Sequence, residues 1–292
     1  MQRVKTILGL LVIAGLFAVV VPVHRDMRAL TKTYPGDYQA YFIPSSGYMK
    51  VMSLGYRNFW ADLLYLWTLQ YYDYYNMKVR YTYLHHTFEV ITDLDPKFRE
   101  AYIMGALFAF INKDWKLLYQ MEDKGIEKNP KDYIIPYDAG CYALFSEKNY
   151  TRAIHYFRIA LRRNPDQPFL KDLLANAYRY RGDLKTSLNY WQEMYKQYKG
   201  QDNYKANYYK MAAARHIWKI RNELNEQQIK AALEAYHKKY GRNPQTLADL
   251  VGAGFMDAIP QDPAGNPYSY DSWTGKVTCT SQFNIKAAFG QW

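Results

Sequence analysis

Six histidines and two cysteines are the side chains with the widest chemical range in this 292-residue chain, and their spacing makes little of it. Only His85 and His86 are adjacent. Neighbours on a helix point about 100° apart, so one metal ion would take both only with difficulty. His24, His155, His216 and His237 stand alone in the chain. No HExxH, GxSxG, phosphate-binding loop or CxxC occurs, and a catalytic constellation ordinarily leaves such a trace. The sequence therefore predicts no metal, no cofactor and no enzymatic activity. Cys141 and Cys279 are too few for a disulfide framework. Cys141 falls at a small-residue packing position and reads as a buried, inert thiol; a Cys141–Cys279 bridge in an oxidising compartment stays open. Asp62, within Phe-Trp-Ala-Asp-Leu-Leu-Tyr-Leu-Trp, has three readings: partner of Arg57, partner-binding group, or surface residue. The surface reading takes precedence, because unpaired Asp is rarely buried.

The elements that would position these residues are helical. Pro96, Pro130 and Pro165 sit 34 and 35 residues apart, and each closes a helical segment. With a proline at each closing position the units run 65–98, 99–133, 134–167 and 168–201. In the third unit Ala153, Phe157 and Ala160 share one helix face; small residues let helices approach, and the Phe fills the groove between them. In the fourth, Leu174, Ala175 and Tyr178 line the first helix, Gly182-Asp183 makes the turn, and Trp191 takes the Phe role. The first unit keeps Tyr75, Phe88 and Pro96; the second keeps Gly105 and Ala106 but has Glu122 in place of the Phe. Period and residues together resemble the tetratricopeptide repeat family, whose paired helices stack into an α-solenoid that holds other proteins. Tyr204–Tyr240 would cap the array, with Tyr208, Met211, Ala212, Ile217, Ile220 and Leu224 on one stripe and Ile229, Leu233 and Tyr236 on another.

From Gly241 the chain changes character. Pro244, Leu247, Leu250, Gly254, Pro260, Asp262, Pro263, Gly265, Pro267, Tyr268 and Tyr270 resemble the segment after the long helix of type II secretion pseudopilins. Read physically, Leu247 and Leu250 pack back on the preceding helix, Asp262-Pro263 and Gly265-Asn266-Pro267 make turns, and Tyr268–Asp271 pairs with Lys276–Thr280 across Ser272–Gly275. Two departures limit the resemblance. The first Glu is Glu89, so the chain lacks the Glu of a fibre subunit's N-terminal helix, and no Asp or Glu follows Asp271 to bind calcium. The fold expected is mainly α, a tetratricopeptide-like solenoid with a small C-terminal α+β, pilin-like unit.

The N-terminus is basic, with Arg3 and Lys5, and continues into an uncharged apolar run from Ile7 to Val23. A cleaved signal peptide has the same outline, but the small-residue cleavage site is missing here, which favours a retained membrane anchor. The expected organisation is an anchor at 1–24, a linker and helix at 25–64, repeats at 65–201, capping helices at 202–240 and the pseudopilin-like unit at 241–292. The expected location is a single pass through the inner (cytoplasmic) membrane with the body periplasmic. Net charge is +11, but Lys and Arg are interleaved with Glu along helices, so anionic lipid or polysaccharide is a more coherent target than nucleic acid. By register, the groove lined by each first helix should present Tyr142, Phe145, Asn176, Arg179 and Tyr180 to a bound partner. These expectations describe a non-enzymatic scaffold, an accessory or assembly component of a membrane complex such as a type IV pilus or type II secretion machine. A subunit of an unrelated membrane complex is the alternative, and an enzyme acting on envelope polymers the third reading.

Overall fold

The computed structural model describes residues 43–73 and 83–283, together with helical positions Gly15 and Ala18. Apart from those two positions, the expected membrane span Ile7–Val23 lies outside the described residues. Among the described residues no helix is long and apolar enough to cross a membrane. That finding corrects the expected transmembrane helix and, with it, the inner-membrane, single-pass, periplasmic placement. The physical reason is visible in the helices themselves: the 37-residue helix Tyr204–Tyr240 carries Lys, Arg and Glu throughout, and Arg57–Asp73 has 17 residues and charges at both ends.

The described chain is mainly helical, with one two-stranded antiparallel sheet. It divides into two compact units, Met1–Asn129 and Pro130–Trp292. In the first unit, Ser45 caps helix α1 (Ser46–Met52) by accepting from the Tyr48 amide. The chain breaks at Ser53–Tyr56, where Leu54 and Gly55 take φ of 48° and 92°, and resumes as α2 (Arg57–Asp73). Of the aromatic run in α2, Tyr65 packs its ring against Phe98 at 4.8 Å, whereas Phe59, Leu66 and Trp67 stay exposed. Asp62 is exposed as well. Helices α3 (Leu84–Leu94), α4 (Arg99–Ile111) and α5 (Trp115–Lys128) follow. His85 and His86 turn to different partners: His85 faces Glu89 at 3.9 Å, while the His86 ring meets the Ile43 carbonyl at 2.8 Å. Lys124 on α5 bridges back to Asp93 on α3 at 2.7 Å.

The second unit opens with α6 (Ile134–Cys141), which widens without a break into a π-helical turn, Tyr142–Glu147. Then come α7 (Tyr150–Arg163), α8 (Pro168–Tyr180), α9 (Leu184–Tyr198) and α10 (Tyr204–Tyr240). Helix ends follow one grammar in both units. Asp95, Asn129 and Asn164 end α3, α5 and α7 in non-helical conformations, and the repeated prolines come directly after them. The residue before a proline is driven out of the α region, which fixes those ends. Inside each hairpin a residue with φ of 61° (Lys113), 58° (Lys148) or 91° (Gly182) reverses the chain. The next residue, Asp114, Asn149 or Asp183, then accepts from the amide three positions on and starts the following helix.

Packing between paired helices turns on small residues. A Cβ at Gly140 of α6 would stand 2.5 Å from the Phe157 ring of α7, and one at Gly105 of α4 would stand 3.0 Å from Phe88. Phe157 is fully buried, so its ring has no room to retreat. Ala at position 140 should therefore destabilise the protein by about 1–3 kcal/mol despite its better helix propensity. Chemical denaturation of Gly140→Ala checks this, and an unchanged or higher midpoint would refute the close approach.

Helix α10 is a single rod where two capping helices were expected, because nothing between Tyr204 and Tyr240 breaks it; Gly241, at φ 69°, ends it. Its first half joins a core with Trp191, Met194 and Tyr198 through Ala206, Ala213, Ala214, Ile217 and Ile220. Its second half joins another through Ile229, Ala232 and Leu233, against Leu250 of the short helix α11 (Ala248–Gly252), Tyr268 and Val277. Strands β1 (Ser269–Asp271) and β2 (Lys276–Thr278) pair as expected, with Tyr270 opposite Val277. Below them the buried Asp262 carboxylate accepts from the amides of Ala264 and Asn266, both at 2.9 Å, and fixes the turn. Cys141 and Cys279 are both free thiols.

Candidate functional site

The stripe expected to seal α10 onto the core is divided between two faces. Ala213, Ala214, Ile217 and Ile220 are buried. Tyr208, Met211 and Ala212 line an open cleft of about 440 Å3, beside Arg215 and His216 of the same helix and Asp172 of α8. Alanine accounts for the difference: it fits a core or a surface equally well, so Ala213-Ala214 gave no signal while the larger Tyr208 and Met211 did.

His216 is a half-buried residue of the cleft lining. Its ring lies flat on Trp191 of α9, with centroids 4.0 Å apart and planes within 2°. Its Nδ1 is shielded from solvent and makes no hydrogen bond. Burial first, then the positive charges of Arg179, Lys219 and Arg215, hold its pKa down to about 4, against a smaller pull from Glu223. The imidazole is therefore neutral at ordinary pH. Histidine was read as scattered along the sequence, and nothing in the local residues marked this one.

Asp172 sits across the cleft. Burial pushes its carboxyl above the ordinary range, and the Asn176 carboxamide, which donates to it one turn on, pulls the other way. Arg179, on the next turn of α8, makes a two-pronged ion pair with Glu223 of α10, its Nε donating at 3.0 Å. The bond to Glu223 raises the Arg179 pKa further. The pair is mostly shielded from solvent, so it clamps α8 to α10 more firmly than a surface pair could.

The five sequence-expected groove residues fall into two groups. Asn176 and Arg179 spend their hydrogen bonds inside the protein, on Asp172 and Glu223. Tyr180 is exposed, lies under the Arg179 guanidinium at 5.7 Å and stacks on Tyr150 of α7 at 5.6 Å. Tyr142 and Phe145 both lie on the π-helical turn. A π turn inserts an extra residue into a helix and is often found at functional positions; here Phe145 projects into solvent. Tyr204 and Tyr208, which the groove reading passed over, are as prominent.

A second open hollow of about 590 Å3 lies lower on α10, between Lys230, Glu234, His237 and Lys238 and the β-hairpin turn at Thr274-Gly275. Its side chains on α10 are exposed and of mixed charge. Among the described residues no group of three or more His, Cys, Asp or Glu is gathered as a metal site. No family model matches the chain, and no curated protein is similar to it.

Proposed function

We propose that the protein is a non-catalytic docking scaffold, an array of helix pairs of the tetratricopeptide kind that holds another polypeptide. The observation that carries this reading is the display of large aromatics on the π-helical turn after α6, on α8 and on α10. Phe145 is 63% exposed, Tyr180 53%, Tyr204 90% and Tyr208 61%. Aromatic side chains offer much contact area for little lost conformational freedom, which is why they dominate binding hot spots. Beneath them the Arg179–Glu223 pair, the Asp172–Asn176 bond and the Trp191–His216 stack keep the backbone fixed. A pre-formed surface pays less ordering entropy on binding.

The pseudopilin resemblance of the segment after Gly241 supports a partner among the subunits of a type IV pilus or type II secretion machine. In this reading the hairpin module offers a second contact beside the aromatic face. A photo-cross-linking residue at Tyr208 in the native cell should trap such a subunit. Combining Phe145→Ser, Tyr180→Ser and Tyr204→Ser should cut the yield at least about tenfold, since each anchor contributes on the order of 1 kcal/mol. Adducts drawn wholly from other machines would refute the partner class, and an undiminished yield would refute the aromatic face.

A further inference from the structure

Helix α2 turns small residues inward and large apolar ones outward. Ala61 and Thr68 are fully buried, and α2 packs against α3. On the opposite side, at about 100° per residue, run Tyr56, Phe59, Leu63 and Leu66, spaced by three, four and three. These four are between 45% and 73% exposed; Leu54, in the turn before the helix, and Trp67 are exposed too. Taking about 200 Å2 for a large side chain, the exposed fractions of these six leave on the order of 700 Å2 open to solvent. The largest apolar patch of an ordinary monomer is about 300–600 Å2, and each partner in a standard interface buries about 800 Å2. No charged residue falls on the stripe, which continues to the exposed Gln70.

The ends of α2 carry the opposite of what its own dipole favours. A helix N-terminus is suited to negative charge and a C-terminus to positive. Yet α2 starts at Arg57 and ends at Asp73, with no acidic residue in its first turn and no basic one in its last. On an isolated helix both charges are misplaced. Beside an antiparallel helix of the same sequence, each would lie near the pole and the residue that suit it.

We propose that α2 is the contact helix of a two-fold symmetric dimer, packing along this stripe against the antiparallel α2 of a second copy of the chain. The proposal goes beyond the docking face of the second unit and does not rest on it. Alternating spacings of three and four are the seam by which one helix packs on another, so a helix fits this face better than a flat surface does. With the two 17-residue helices fully overlapped, Leu63 of one copy stands opposite Leu66 of the other, Phe59 opposite Gln70, and Arg57 beside Asp73. Asp62 then falls opposite Trp67, away from its own counterpart. A hydrocarbon layer or the uncharged run Ile7–Val23 would cover the stripe, but neither offers Arg57 and Asp73 a counter-charge. The second copy supplies both.

The test is the mass of the full chain by analytical ultracentrifugation at micromolar concentrations. Wild type should sediment at twice the 34.5 kDa of one chain. Leu66→Glu should raise the dimer dissociation constant at least about a hundredfold, since the two-fold axis counts the substitution twice. Arg57→Asp should raise it about tenfold, because it sets like charges together at both ends of the seam. Asp73→Arg should do the same. An equimolar mixture of these two charge variants should recover the wild-type affinity, each charge then meeting its opposite. Leu66 and Arg57 are exposed, so their variants should keep the wild-type circular dichroism. A monomeric wild type would overturn the proposal, as would a dimer that Leu66→Glu leaves intact or that the mixture fails to restore. A chain that stays monomeric but binds phosphatidylcholine vesicles, and loses that binding in Leu66→Glu, would overturn it in favour of lipid.

Discussion

Trp191→Ala should lower the unfolding free energy by about 3–5 kcal/mol, the range for deleting a large buried aromatic. The indole is fully buried among Met194, Tyr198, Ala213 and Ile217, so the vacated space can close only by moving α9 or α10. For a protein of this size the loss corresponds to a melting point lower by roughly 10 °C. The same substitution also uncovers His216. With water reaching the imidazole, its midpoint should climb from about 4 toward 6.5. The sign of the pH effect follows. In the native protein the folded-state value lies below the unfolded one, so the unfolded chain binds the extra proton. Stability from this residue is complete above pH 6.5 and falls as pH drops toward 4, at up to about 1.4 kcal/mol per pH unit. Trp191→Ala should flatten that slope. Thermal melts of both proteins between pH 4 and 7 measure both effects. A loss below about 1 kcal/mol would contradict the packing described for the cluster.

Asp262→Ala should cost about 1–2 kcal/mol, because two turn amides lose a charged acceptor that water replaces only in part at the half-buried Ala264 and exposed Asn266. Burial works against the ionised carboxyl, yet the Ser281 hydroxyl, the amides of Asn266 and Ala264 and the Cys279 thiol hold it below the ordinary 3.8. A depressed carboxyl stabilises the fold at pH values above 3.8, and that contribution disappears as pH falls through the folded value. The hairpin should therefore loosen first in strong acid. Hydrogen exchange provides a local measure: amides of β1, β2 and the 262–267 turn should lose protection in Asp262→Ala, while those of α7 and α8 should not. Asp262→Asn, which keeps one acceptor oxygen, should fall between the two. Uniform loss of protection along the chain would show that the turn is not locally organised by this carboxylate.

The punctuation of the fold was legible in the chain. Pro96, Pro130 and Pro165 stand directly beyond helix ends, Gly182-Asp183 is a turn and a cap, and Leu247 and Leu250 pack back on α10. These features depend on backbone chemistry within a few residues, so local sequence suffices. Lys113 and Lys148 were not legible as turn residues, because their positive φ is imposed by the close hairpin and not favoured by lysine itself. The π turn at Tyr142–Glu147 likewise has no local signature. Of the candidate site, the register placed Tyr180 and Phe145 outside the core. It also selected Asn176 and Arg179, whose partners Asp172 and Glu223 could be identified only after α8 and α10 were brought together. His216 owes its character to burial against Trp191 of α9 and to charges on α8 and on its own helix, a combination that exists only once the helices are packed.

Helix α10 belongs to two cores at once, with Ile217 and Ile220 in one and Ile229 and Leu233 in the other. Over 37 residues it spans about 55 Å at 1.5 Å per residue. Between the two cores the segment near Glu223–Glu226 acts as a drive shaft, and its residue count is an angular setting. One residue added there would turn the hairpin module about 100° around the axis while advancing it only 1.5 Å. Adding seven would nearly restore the original azimuth, about 10 Å further along. The length of this one rod thus sets the bearing of the hairpin module, and the Tyr268–Asn222 hydrogen bond at 2.8 Å and the Phe283–Trp218 ring contact hold it at that setting.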